Sequence, residues 1–133
     1  MDGISTRREA LKAALAAPAI LSAQSPNDTV RVAVIGVGTR GSYLLSHTLK
    51  IPGVKVVAIC DLDQARLGAA EKQVTAAGGS PKLYTDFRKL IEEGKDIDAF
   101  IIATPVDTHR QISVASLEAG KNVYCEKPMS ITP

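Results

Sequence analysis

The chain has no tryptophan and only two cysteines among its 133 residues, and aromatic residues make up just 4% of it. Cys60 and Cys125 are too few and too far apart for the Cys-x-x-Cys spacing of a thiolate zinc site, so no metal centre is expected. No apolar run approaches the ~18 residues that a membrane span requires, and a membrane is not expected as a partner. Excess charge of one sign is also missing. The net charge is +2, and the first 25 residues hold +1 of it, with Arg7, Arg8 and Lys12 set against Asp2 and Glu9. The remainder has no concentrated basic face of the kind that binds nucleic acid. Length sets a further limit, because a doubly wound domain needs roughly 100 to 150 residues and leaves no room for a second core. What is present is ordinary for an α/β protein: 45% hydrophobic and 23% charged residues, with enough Val, Ile, Leu and Ala to bury a sheet.

Residues 1–25 have the three-part layout of an export signal. Met1 to Lys12 is polar with a paired Arg7-Arg8, residues 13–23 are apolar and Ala-rich, and small residues follow where a peptidase can cut. Thr6-Arg7-Arg8-Glu9-Ala10-Leu11-Lys12 resembles the twin-arginine motif, departing from it at Ala10, where Phe is expected, and at Thr6, where Ser is commonest. The competing reading is an amphipathic helix capped by Ser5 or Thr6. A working signal predicts a periplasmic or extracellular protein carried out folded with its cofactor, and a non-functional one predicts a cytoplasmic protein. Residues 26–29 read as a linker.

From residue 30 onward, short Val/Ile runs alternate with helical segments of ~10 to 15 residues, the pattern of a parallel sheet flanked by helices. Strands are predicted at 30–35, 54–60, 82–84, 98–103 and 122–125, and their near-continuous apolar character says both faces are buried. Helices are predicted near 40–50, 63–77, 86–93 and 107–119, with Asp63, Asp86 and Asp107 as N-caps and Gly78, Gly94 and Gly120 as stops. Right-handed crossovers give an α/β doubly wound parallel sheet of the Rossmann type, strand order 3-2-1-4-5. In that order the two cysteines end strands about three spacings apart, on the order of 14 Å, which excludes a disulfide.

Gly36-Val37-Gly38-Thr39-Arg40-Gly41 joins the first strand directly to the first helix, the context in which a G-x-G-x-x-G pattern cradles a dinucleotide. Gly36 allows the tight turn, Gly38 lets the backbone approach a pyrophosphate, and Gly41 lets the helix pack closely on the strand. Thr39 and its neighbours open the helix and offer N–H groups to the phosphates. Asp61 ends the second strand 20 residues beyond Gly41, where a carboxylate bonds the adenosine ribose and repels a 2′-phosphate. NAD is therefore favoured, and Arg40 keeps NADP open: its guanidinium pairs with a phosphate or is simply solvated. Asp63 is more simply a helix cap. The loop after the fourth strand, Thr104-Pro105, faces the glycine loop across the point where strand order reverses, and Thr104 is placed to bond the cofactor. His109, near the next helix start, is either a cofactor neighbour or a surface histidine. Glu126-Lys127-Pro128 ends the fifth strand. There the Lys127 ammonium is placed to bond or protonate a substrate oxygen, although a lone lysine of this kind is more often only solvated.

The ordered segments GVGTRG, AICDLD, ATPVDTH and GKNVYCEKPMS, from about Val30 to Pro133, resemble the Gfo/Idh/MocA family of oxidoreductases. The resemblance implies that Lys127 lies at the reactive face of the nicotinamide, that Lys127-Pro128 is a cis peptide, and that Glu126 and the Thr104-Pro105 loop line the cofactor. It also implies hydride transfer at a hydroxyl-bearing carbon of a sugar or cyclitol. Family members continue into a second α/β domain that carries most substrate contacts, an Asp-x-x-x-His acid/base pair and the usual oligomer interface. The sequence stops at Pro133, so the substrate domain is expected to be absent, turnover by these residues alone is not expected, and a homo-oligomer is expected only where that domain is present.

Three other readings compete with a dehydrogenase. Some exported proteins resembling the family are NAD-dependent glycosidases, which oxidise, eliminate and re-reduce a sugar. A truncated, non-catalytic nucleotide-binding module is the second. An S-adenosylmethionine-dependent methyltransferase is the third, and the GVGTRG helix start and the Glu-Lys-Pro segment argue against it.

Overall fold

A computed structural model describes residues 28–131. The signal reading for residues 1–25 and the first half of the linker 26–29 lie outside the described residues. Nine elements alternate: β1 Val30–Ile35, α1 Thr39–Thr48, β2 Val54–Cys60, α2 Gln64–Ala76, β3 Lys82–Tyr84, α3 Phe87–Glu93, β4 Ala99–Ile102, α4 Val106–Glu118 and β5 Asn122–Cys125. All pairings are parallel, and the sheet order is β3-β2-β1-β4-β5, as the sequence predicts.

The alternation of a strand sends its side chains to opposite faces, and β1 feeds two cores in this way. Ala33 and Ile35 join Phe100, Ile102, Leu90 of α3 and Ile112 of α4 on one face. Val32 and Val34 join Leu45 of α1 and Leu67, Ala70 and Val74 of α2 on the other. Register between β1 and β2 slips by one residue, since Val32 pairs with Val56 but Ala33 pairs with Ala58. Val57 is the extra residue, and it packs on the same face as Ala58.

The caps follow the predicted chemistry with one correction. Asp63 accepts from the N–H groups of Ala65 and Arg66, and Asp86 from that of Arg88. Asp107 is not a cap. The helix begins one residue earlier at Val106 with Pro105 in the cap position, because proline supplies a fixed φ (−54°) and has no N–H to satisfy. Asp107 falls in the first turn, where a carboxylate favours the positive end of the helix dipole. Both cysteines are free.

Among the described residues, no helix is long and apolar enough to cross a membrane, and no group of three or more His, Cys, Asp or Glu gathers to hold a metal.

Candidate dinucleotide site

The carboxyl ends of β1, β2, β4 and β5 converge on the crevice where the strand order reverses. The glycine loop is sewn to its neighbours on both sides. Gly36 N–H donates to Cys60 O at 2.8 Å, and Ala103 N–H donates to Ile35 O at 2.8 Å.

The three glycines separate into two kinds. Gly36 has φ +88°, and a Cβ on it would stand 2.7 Å from the Ala103 carbonyl carbon and the Thr104 nitrogen. A Cβ on Gly41 would lie 1.8 Å from Gly36 O, inside any permitted contact. Both positions are closed by protein. Gly38 is open: its Cβ position meets only the Arg66 guanidinium, at 3.6 Å. Gly38 also stands at the N-cap of α1, and no side chain caps that helix. The residues therefore fit a dinucleotide, because the one glycine left open fronts N–H groups at a positive helix end.

Asp61 is half-buried and its carboxylate is already structured. Oδ2 accepts from Val37 N–H at 2.9 Å and Oδ1 from Asp63 N–H at 2.9 Å. Each oxygen retains a lone pair, so the carboxylate can tie down the glycine loop and still accept from a ribose diol.

Arg66 was not anticipated from the sequence. It lies in the first turn of α2, with only a loose 3.9 Å ion pair to Asp63, and stands beside the open face of Gly38. Its place three residues after the Asp63 cap, on the helix that follows Asp61, was the signal available.

Arg40 and Glu126 meet across the crevice. Arg40 Nε donates to Glu126 Oε1 at 2.9 Å, and NH2 lies 2.8 Å from the same oxygen. Arg40 is therefore not merely solvated. Its guanidinium also lies 5.2 Å from the centre of the Tyr43 ring. Glu126 is buried, and the hydrogen bond from Arg40 holds its carboxyl below the usual carboxylate range. The same bond raises Arg40.

Thr104 is half-buried, and its hydroxyl accepts from Thr108 Oγ1 at 2.7 Å. Pro105 is exposed at the start of α4, as is Thr39 in the first turn of α1. Lys127 is exposed immediately after Glu126, and the Lys127–Pro128 peptide is cis.

The surface reading of His109 is corrected, for the ring is only 2% exposed. Both of its nitrogens are occupied by backbone carbonyls, Nδ1 by Pro128 O at 2.8 Å and Nε2 by Thr104 O at 2.7 Å, and it presents neither to the crevice. His109, Ile112, Ser113 and Ser116 form the buried stripe of α4, an i, i+3, i+4, i+7 spacing that was readable in the sequence.

Residues 30–133 match the Gfo/Idh/MocA model, described as an oxidoreductase family with an NAD-binding Rossmann fold. The chain belongs to this family. Its domain is the NAD-binding Rossmann domain of these oxidoreductases. Among curated relatives, a glycosyl hydrolase family 109 protein of Stenotrophomonas maltophilia is 41% identical over 95% of this chain, which corresponds to 30% of the relative. A glycosyl hydrolase family 109 protein 1 of Phocaeicola vulgatus is 39% identical over 79% of this chain and 23% of its own length. Among solved structures, myo-inositol 2-dehydrogenase from Lactobacillus plantarum superposes with a TM-score of 0.71 at 34% identity, covering 78% of this chain and 30% of that one. Scyllo-inositol dehydrogenase from Lactobacillus casei, with bound NAD(H) and scyllo-inositol, gives 0.71 at 30% identity over 78% and 29%. The chain thus spans less than a third of each of these proteins.

Proposed function

We propose that this chain is the cofactor half of an exported enzyme that moves a hydride between NAD and a hydroxyl-bearing carbon of a sugar or cyclitol. The observation that carries the reading is the open face of Gly38, at an uncapped helix end close to the anchored carboxylate of Asp61. When bound, NAD supplies the hydride acceptor. Gly36 and Gly41 shape the loop, and Gly38, Thr39 and Arg40 meet the pyrophosphate through backbone N–H groups. Asp61 accepts from the adenosine ribose hydroxyls. Thr104, Pro105 and Glu126 line the nicotinamide half, and the Lys127 ammonium bonds the substrate oxygen as the carbon gives up its hydride and the hydroxyl proton passes to a base of the substrate domain. His109 serves this site indirectly.

The test is calorimetric titration of the chain with NAD, followed by assay of the complete gene product with polyols and with glycosides. Tight NAD binding with NADH production from a polyol is the expected result. Failure to bind NAD sinks the reading.

A second reading is favoured by the relatives named glycosyl hydrolase family 109 at up to 41% identity. Transient oxidation of a sugar carbon acidifies the neighbouring C–H, elimination then breaks the glycosidic bond, and addition of water and return of the hydride complete the cycle. Free sugar released from a glycoside without net NADH selects this reading over the dehydrogenase.

Export rests on Arg7-Arg8 and the short apolar run behind them. Residues 1–30 fused to a folded reporter should carry it to the periplasm, and the double change Arg7→Lys, Arg8→Lys should hold it in the cytoplasm. A reporter indifferent to that change overturns the twin-arginine route.

A further inference from the structure

The ladder between β4 and β5 pairs Ile102 with Cys125 and closes with Glu126 N–H on Ile102 O at 2.9 Å. Beyond that bond the two strand ends part into separate loops, one carrying Thr104 and the other Lys127 and Pro128. The buried imidazole of His109 lies between them. Its Nε2 faces Thr104 O at 2.7 Å and its Nδ1 faces Pro128 O at 2.8 Å. A carbonyl only accepts, so every hydrogen that the ring carries on nitrogen points at one of these two loops. The ring itself is rigid and is anchored in the buried stripe of α4, next to Ile112 and Ser113. A neutral ring donates to one of the two carbonyls and packs against the other, and a protonated ring donates to both; in either form the ring stands between the loops and sets their separation.

We propose that His109 is a positioning residue for the nicotinamide end of the site. It touches neither cofactor nor substrate, but fixes the backbone of Thr104 relative to that of Pro128, the neighbour of Lys127, before a ligand arrives. Preset loops spare the ligand the cost of ordering them. The inference rests on the reading that Thr104 and Lys127 meet the nicotinamide half. It predicts that His109 matters for the nicotinamide group and not for the ADP-ribose portion, which is held chiefly by the glycine loop and Asp61.

ADP-ribose, which lacks only the nicotinamide, isolates the share of binding that the nicotinamide supplies. Calorimetry of the 133-residue chain and its His109→Leu variant with NAD and with ADP-ribose should show NAD binding weakened about tenfold, with ADP-ribose binding unchanged. His109→Asn, which keeps an amide N–H near the Nδ1 position, should recover part of the NAD affinity. Equal losses for both ligands in His109→Leu mean a purely structural histidine and overturn the proposal, as does a wild-type preference for NAD that the variant retains. Wild-type protein that binds the two ligands equally overturns the underlying reading of the nicotinamide end, and the proposal with it. Should the leucine variant not fold, nitrogen NMR of the wild-type histidine rings decides. The chain has two histidines, so the His47→Gln variant assigns the pair. The His109 ring signals should move with NAD and not with ADP-ribose; signals that move equally with both, or with neither, overturn the proposal.

Discussion

Arg40 and Glu126 are 86 positions apart in sequence, yet the Arg40 guanidinium lies 2.8 Å from Glu126 Oε1 and joins the first turn of α1 to the end of β5. The pair spans the crevice between the glycine loop and the segment that carries Lys127. It therefore couples the two banks of the dinucleotide site, and Glu126 is the titratable partner.

That coupling has a pH signature. The Glu126 carboxyl is held below its ordinary range in the folded chain, chiefly by the hydrogen bond from Arg40. The folded state then binds fewer protons than the unfolded state as the pH falls through the ordinary carboxylate range. The contribution is complete above that range and is lost as pH drops through the lowered folded value. Wild-type protein should lose melting temperature on acidification more steeply than Glu126→Gln. Parallel acid limbs for the two would contradict the assignment.

The glycines should divide under substitution as they do in contact. A Cβ at position 41 would press on Gly36 O at 1.8 Å, against backbone that cannot step aside. Gly41→Ala is expected to cost about 1–3 kcal/mol or more, read by urea denaturation. Gly38→Ala meets only the far end of Arg66, so its stability should stay within about 0.5 kcal/mol of wild type. Its methyl fills the space left for a pyrophosphate, and NAD affinity should fall at least about tenfold in calorimetry.

Much of this was legible before any coordinates, and the reasons are local. Strand order follows from the alternation of apolar runs with capped helices and from the handedness of crossovers. The spacing of Gly36 and Gly41 reports a backbone geometry that few sequences permit, so it is read directly. Asp107 misled because its type suits a cap, but Pro105 starts the helix first. The Arg40–Glu126 pair was out of reach, since it depends on side chains 86 positions apart meeting across the crevice. For His109 both sequence readings, cofactor neighbour and surface histidine, follow from its polarity, whereas its place in the stripe with Ile112 and Ser116 accounts for its burial. Arg66 was missed because its nearness to Gly38 depends on the orientation of α2 over the loop.

The two thiols should differ in reactivity. Burial pushes Cys60 up to about 12, with the charges of Asp61 and Asp86 adding to the effect, whereas Cys125 is half-buried at the end of β5. The thiolate is the reactive form. In native protein at mildly alkaline pH, a thiol reagent should label Cys125 and spare Cys60 until denaturant is added. Two equally fast thiols in the native state would contradict the burial of Cys60.

Cofactor preference should turn on Asp61 and Arg66 together. If the adenosine ribose sits at Asp61 as proposed, that carboxylate repels a 2′-phosphate, while the Arg66 guanidinium, beside the open face of Gly38, is only loosely paired to Asp63. Removing the Asp61 carboxylate lifts that repulsion and leaves Arg66 with only its loose pair to Asp63. Asp61→Ala gives up the bonds from Val37 and Asp63, so a stability loss of about 1–3 kcal/mol is expected beside weaker NAD binding. The ratio of NAD to NADP affinity should fall at least about tenfold, measured by calorimetry with both cofactors. Adding Arg66→Ala should take back the gain toward NADP while leaving the stability loss in place. If Asp61→Ala weakens both cofactors equally, the carboxylate acts only through the loop it anchors, and discrimination against the 2′-phosphate has another source.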